Sequence, residues 1–391
     1  MRTRAGRARG EPVTPLRLIA DDLTGALDTA VWFAGPADPV PVHWGAPATL
    51  LAGSSIAIDS GTREAGLGAT LAATAALAAR LHGGPDTLLY AKLDSLLRGH
   101  AAAAIAGWVE AVNPARCIIA PAFPLQGRVT RGGVQQARLA GGWQPVGAGF
   151  LHDLEREGLS AALCRPGDAV PPGVSLWDAE TDTDLAAIAA AGLLAGAGQG
   201  DHVLWCGSGG LAAALAGRLG RAVPVMRAGV LPSPILGLFG TDHPVTDAQL
   251  SACASSVLAL PDAGEGGAAA LAERLAGGGA VLARPSLPDG LPREAAAGRI
   301  ADWLDRLARR LPPPGTLIVA GGETLRALCR SLGAERLDLD GQIEAGVPCS
   351  VLRGGRWNGV RVVSKSGAFG DPQLLRRLIA AAVPSTQGDP A

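Results

Sequence analysis

Two adjacent aspartates, Asp21 and Asp22, follow the short apolar run Leu16 to Ala20 and precede apolar residues at helical spacing, Ala26, Ala30 and Phe33. The pattern reads as strand, acidic turn, helix. In open α/β sheets ligands bind outside the carboxyl ends of the strands, so the pair is placed to face a metal, a polyol or a proton. One Asp has an ordinary use as a helix cap; the second then has no capping work left. A second charged set, Lys92, Asp94, Ser95 and Arg98, closes the apolar run in DTLLYAKLDSLLRGH (86–100). Such a set suits an acidic, hydroxylated ligand, because Arg grips a carboxylate bidentately and Asp accepts from hydroxyls. The plainer alternative is an Asp94–Arg98 pair one helical turn apart. Asp59, Ser60 and Arg63 end a third apolar run, and Arg128 and Arg131 stand among Gly127, Gly132 and Gly133 in a positively charged loop open to close approach.

Later in the chain the turns change character. Gly207-Ser208-Gly209-Gly210 opens a helix and can hold an anion on its N–H groups, although no Lys-Ser/Thr follows to make it a Walker A loop. Gly321-Gly322-Glu323-Thr324 is a second candidate phosphate cradle at a strand-to-helix turn. Thr241-Asp242-His243-Pro244 and Lys365-Ser366-Gly367 end two further strands. Among 34 basic residues only Lys92 and Lys365 are lysines, and both fall in these turns. A chain otherwise built on Arg keeps Lys where a compact point charge is useful.

Repeated βα units place these turns. Strands are expected at 16–20, 55–59, 86–92, 116–124, 173–177, 202–207, 235–240, 279–284, 316–322 and 360–365. Helices are expected at 67–82, after an Asp182 or Thr183 cap, after Gly210, at 245–259, at 291–310 and from Pro372, while 134–172 is poorly patterned. Three prolines without periodicity place a linker near 222–233. The expected fold is α/β in two lobes, each a mostly parallel sheet flanked by helices, with the active site in the cleft between them. Residues 1–15 read as a disordered basic tail, 16–222 as one domain and 233–391 as the other. Acidic and arginine turns fill the first domain and glycine turns the second, so a polar small molecule on one lobe would meet a phosphate-bearing ligand on the other.

At 391 residues and 48% hydrophobic, the chain is long enough for two cores. A net charge of −1 gives no footprint for nucleic acid or an anionic membrane. The six cysteines and six histidines lack metal-ligand spacing, so no structural metal is assigned. With no apolar leader or membrane-length segment, the expected location is the cytoplasm.

Several stretches together resemble the four-carbon acid sugar kinase family: IADDLTGA, KLDSLLRG (92–99), PAFPLQGRVTRGG (121–133), DAETDTDL (178–185), PVTDAQ (244–249), GGET (321–324) and KSGAFGD (365–371). The resemblance implies transfer of a phosphoryl group from ATP, with Mg²⁺, to a hydroxyl of threonate, erythronate or 3-oxo-tetronate, the terminal 4-OH being expected. It assigns Asp21, Asp22, Arg63, Lys92, Asp94 and Arg98 to the acid-sugar site, with Ser95 and Arg128 beside them. Asp22, then Asp94, is the expected proton acceptor, with Lys92 as a third catalytic group; Arg63 and Arg98 would fix the substrate carboxylate. Thr241, His243, Gly321, Gly322, Glu323, Thr324, Lys365, Ser366 and Gly367 would hold ATP. The turn Phe239-Gly240-Thr241-Asp242-His243 departs from the family's serine-rich one, and Leu96 stands where the family tends to show Thr. Expected partners are the sugar acid and ATP, with a homodimer left open and neither nucleic acid nor membrane. Two rivals remain: a sugar-acid sensor without ATP chemistry, and a phosphatase of the haloacid dehalogenase kind. The latter wants a second acid two residues after its nucleophile, where Leu23 and Thr24 stand here.

Overall fold

Each apolar run that opens a βα unit forms a strand in the computed structural model, which describes residues 14–47, 49–51, 53–81, 86–197, 202–221, 225–226, 231–260, 265–288, 290–380 and 382–383. The first half contains β1 (Leu16–Ala20), β2 (Val40–Trp44), β3 (Ile56–Asp59), β4 (Leu88–Lys92), β5 (Arg116–Ala120), β6 (Arg128–Arg131), β7 (Val134–Leu139), β8 (Gly142–Pro145), β9 (Ala161–Cys164), β10 (Gly173–Trp177) and β11 (Val203–Gly207). Its helices are α1 (Leu23–Ala30), α2 (Leu67–Leu81), α3 (Ala101–Val112), α4 (Phe150–Arg156), α5 (Asp182–Ala195) and α6 (Gly209–Arg218). The second half contains β12 (Leu231–Pro232), β13 (Ile235–Phe239), β14 (Val257–Leu260), β15 (Ala280–Pro285), β16 (Thr316–Ala320), β17 (Arg336–Gln342), β18 (Pro348–Arg353), β19 (Arg361–Lys365) and β20 (Ala382–Val383). Its helices are α7 (Pro244–Ser251), α8 (Glu265–Ala276), α9 (Arg293–Arg310), α10 (Gly322–Ser331) and α11 (Leu374–Ala380).

The molecule is a mixed α/β protein around one large, mostly parallel sheet. Parallel pairing runs from β2 through β3, β1, β4, β11, β5 and β10 to β9, and again from β14 through β15, β13 and β16 to β19. β18 and β17, which the sequence did not mark, join the two blocks by antiparallel pairing of β19 with β18, β18 with β17 and β17 with β2. The parallel blocks expected from the sequence are therefore joined in a fifteen-stranded sheet. The apolar core is continuous too: Leu18, Leu27 and Trp205 share a buried cluster with Leu236, Val319 and Leu339.

Strand register sets the site. β1 lies between β3 and β4, with Ala20 opposite Asp59 and Ile19 opposite Ala91, so three carboxyl ends come level where the strand order reverses. In the second block Phe239, Ala320 and Lys365 are aligned across β13, β16 and β19, which brings their turns together in the same way.

Four local expectations are corrected. The stretch 134–172 contains β7 and β8, which form an antiparallel sheet with the preceding β6, and then α4 and β9. The cap of α5 is Thr181, not Asp182 or Thr183: its hydroxyl accepts from Asp184 N–H at 3.1 Å while the Asp184 carboxylate accepts from Thr181 N–H at 2.9 Å, a capping box. α7 ends at Ser251 because a 3₁₀ turn and β14 take the residues up to 260. α11 starts at Leu374 rather than Pro372. Residues 1–13 of the expected basic tail, and 222–224 and 227–230 of the expected linker, lie outside the described residues. Among the described residues no helix is long and apolar enough to cross a membrane.

Candidate active site

At the ends of β1, β3 and β4 the sequence-marked charges meet. The Asp22 carboxylate caps α1, accepting from Gly25 N–H at 2.9 Å and from the Thr24 hydroxyl at 2.6 Å. Asp21 is gripped by Arg63, whose Nε and Nη2 donate to its two oxygens at 2.8 and 2.6 Å. The same guanidinium lies 2.8 Å from Asp22 Oδ1 and 3.7 Å from Asp94 Oδ1. Arg63 therefore clasps three carboxylates; burial alone would lower its pKa, but these anions outweigh burial and raise it. Both aspartates thus have structural partners, so capping and ion pairing account for much of the doublet.

Arg98 donates to both Asp94 oxygens, at 2.7 and 2.9 Å, which is the plain pairing the spacing allowed. Burial pushes the Asp94 carboxyl up, yet the bonds from Arg98 and the charges of Arg63 and Lys92 hold it well below the usual carboxylate range. The Arg98 side chain is 57% exposed, against 11% for Arg63, so Arg98 is the cation more open to an arriving carboxylate. Arg128 donates to the Gln126 carbonyl and lies close enough to feel Asp94 and Arg98. Ser95 is half-buried, and its carbonyl accepts from Gln135. Lys92 is buried, with its Nζ 4.0 Å from Asp28. Its approach depends on Gly25, since a Cβ there would lie 2.9 Å from Nζ and overlap Asp22 Oδ1.

The second half places its turns against this cluster. α10 is preceded by Gly321 at the N-cap, whose φ of +96° suits glycine, and no side chain caps the helix. Its first N–H groups are the orphan donors of a helix N-terminus, carrying partial positive charge. A Cβ on Gly322 would lie 3.1 Å from Asp22 Oδ2 and 3.2 Å from the Thr24 hydroxyl, so the starts of α10 and α1 abut. Thr324 is buried beside Gly240, while Glu323 is exposed. Thr241 Oγ1 accepts from His243 N–H, and His243 Nδ1 caps α7 by accepting from Val245 N–H, both at 3.2 Å. Gly367 packs on both: a Cβ there would lie 3.0 Å from Thr241 Oγ1 and from His243 Cβ. Lys365 is buried, donating to the Thr246 hydroxyl and the Ser366 carbonyl at 3.0 Å, and burial pushes its pKa down to about 8. Asp242 points to solvent, in an exposed position.

Residues 16–148 match the model of a sugar-binding N-terminal domain, and residues 236–375 that of a nucleotide-binding C-terminal domain. The chain is 33% identical over 413 residues to a D-threonate kinase of Cupriavidus necator, covering 92% of this chain and 95% of that one. The chain belongs to the four-carbon acid sugar kinase family. Another relative of this family member, a 3-oxo-tetronate kinase of Pseudomonas fluorescens, is 28% identical over 424 residues, covering 93% and 96% of the two chains. A Salmonella typhimurium protein described as a putative tRNA synthase has a TM-score of 0.69 at 20% identity, over 93% of this chain and 98% of that one. A Haemophilus influenzae protein has a TM-score of 0.66 at 19% identity, over 92% and 98%. These two show that the family member shares their fold.

Two acids of this sugar kinase family member were not picked out as site residues. Asp28 sits in α1, whose other residues are apolar or small and mostly buried; burial pushes its pKa up to about 6 against the pull of Lys92. A lone charge in a helix buried nearly all round was the available signal. Asp59 is completely buried at the end of β3, where burial raises it to about 7, and its Oδ2 lies 3.5 Å from Arg326 of α10. No local pattern pairs residues so far apart in the chain. Among the described residues no group of three or more His, Cys, Asp or Glu is arranged to hold a metal ion.

Proposed function

We propose that this chain transfers the γ-phosphoryl group of ATP to a hydroxyl, the terminal one, of a four-carbon sugar acid such as D-threonate or 3-oxo-tetronate. Residues 16–222 form the lobe that holds the acid and 233–391 the lobe that holds the nucleotide, with transfer in the cleft between them. One observation carries the reading: the charged ends of β1, β3 and β4 abut the uncapped start of α10, where Gly322 packs against Asp22.

ATP supplies the phosphoryl group, and Mg²⁺ supplies charge neutralisation when bound. The residues fit a triphosphate: the orphan N–H groups at Gly322, Glu323 and Thr324 would donate to phosphate oxygens, Lys365 would add a cation, and Thr241, His243, Ser366 and Gly367 would hold the nucleotide from the neighbouring turns. Mg²⁺ travels with the phosphates, which leaves it needing few protein ligands. On the other lobe the signs balance, Asp21, Asp22, Asp28 and Asp94 against Arg63, Lys92, Arg98 and Arg128. Arg98, which stays paired with Asp94, and Arg128 face the substrate carboxylate and Ser95 its hydroxyls, while Arg63 keeps the aspartates in place. In-line positioning supplies most of the catalysis. The test is phosphorus NMR of the protein with ATP, Mg²⁺ and D-threonate or 3-oxo-tetronate. A new phosphomonoester resonance is expected; unchanged ATP with both acids would contradict the reading.

A further inference from the structure

Phosphorylation of a hydroxyl needs a group to take its proton, and the carboxylates nearest the charged cluster are already committed. Both Asp21 oxygens accept from Arg63. Asp22 accepts from Gly25 and Thr24 and pairs with Arg63. Both Asp94 oxygens accept from Arg98. Asp59 is sealed in the core against Arg326. Asp28 differs. Its Oδ1 accepts from the Thr29 hydroxyl at 2.8 Å and faces Lys92 Nζ at 4.0 Å, while among the described residues its Oδ2 carries no hydrogen bond. Asp28 also lines a cavity of about 10 Å³, room for one water-sized group. Thr24 and Asp28 of α1 form one wall, and Lys365 and Ser366 of the nucleotide half form another.

We propose that Asp28 is the catalytic residue that accepts the proton of the phosphorylated hydroxyl, which enters this cavity at the seam of the two halves. The inference deepens the kinase reading and rests on it. As the hydroxyl oxygen bonds to the γ-phosphorus, the bond from that phosphorus to the bridging oxygen breaks and its electron pair leaves with ADP. The hydroxyl proton passes to Asp28 Oδ2 and then to water. The Thr29 hydroxyl donates to the other oxygen, and the charge of Lys92, 4.0 Å from that oxygen, favours the ionised carboxylate. The groups facing Asp28 are Lys92 and Tyr90 of β4, Thr29 of α1 and Asp22 that caps it, Arg63 beside β3, and Lys365 across the cavity. Burial outweighs the cations and lifts the carboxyl to about 6, within reach of the working pH for a base.

The experiment is steady-state ADP release with ATP, Mg²⁺ and the preferred four-carbon acid, from pH 5 to 9, for wild type, Asp28→Asn and Asp28→Glu. Wild-type kcat is expected to fall as pH drops through about 6, because the base must be ionised. Asp28→Asn is expected to lower kcat about 100-fold or more, to keep KM for ATP within about threefold, and to lose the acid limb; Asp28→Glu recovers part of the rate. An active wild type with Asp28→Asn within about fivefold of it overturns the assignment and leaves the kinase reading standing. A wild-type kcat that is flat across pH 5–8 overturns it without reference to any variant's folding. A wild type that releases no ADP with any four-carbon acid removes both readings together.

Discussion

Lys365 is a buried cation that donates to a hydroxyl and carbonyls rather than to a carboxylate. Its folded pKa of about 8 lies below that of the unfolded chain, so the cost of burying the charge is present below pH 8 and fades as pH rises. A phosphate beside it reverses that preference, so nucleotide binding takes up a proton near pH 8. ATP affinity measured by calorimetry is therefore expected to fall as pH rises through about 8. Lys365→Met is expected to bind ATP about tenfold more weakly or worse at pH 7 and to lose that pH dependence; an unchanged pH profile in the variant contradicts the role. The sequence made this residue legible because lysine is so rare here. It marked Asp21, Asp22, Arg63, Asp94 and Arg98 at three strand ends because each follows an apolar run, and the family resemblance set them in one site. It did not reveal that Arg63 spends its guanidinium on three aspartates, since that depends on the level ends of β1, β3 and β4.

At the scale of elements, α10 is held twice by the first half. Its start packs on Asp22, and one turn later Arg326 reaches Asp59 beside Gly61, where any side chain would overlap the guanidinium. Asp59 has a folded pKa near 7, above its unfolded value, so its ionisation costs stability as pH rises toward 7 and costs nothing where it stays protonated. Removing the partner of a buried charge aggravates that cost. Arg326→Ala is expected to destabilise the protein by about 1–3 kcal/mol at pH 8 and by less at pH 5, read from urea unfolding at both values. An equal loss at the two values contradicts a charge-based link. The βα units were legible because each apolar run is bounded by turn residues. β17 was not marked, although RLDLDGQ alternates apolar and charged residues at the period of a half-buried strand; Asp338 and Asp340 find their partners, Arg336, Arg353 and Arg361, on folding. The β6–β7–β8 sheet was hidden, its outer strand being exposed along its whole length.

At the scale of the molecule, two parallel blocks share one sheet through β17 and β18, and one apolar cluster spans both. Domains that move independently keep separate cores, whereas here sheet and core are shared. Scanning calorimetry of the ligand-free chain is expected to show a single cooperative transition; two well-separated transitions would mean that the halves unfold independently. Continuity of this kind keeps the starts of α1 and α10 in register, which phosphoryl transfer between two halves requires. The most direct test of the account is ADP release by the purified protein with ATP and Mg²⁺ against both threonates, both erythronates and the 3-oxo-tetronates. Acid-dependent release with at least one member is the expected result; a folded protein that releases no more ADP with any of them than without would contradict it.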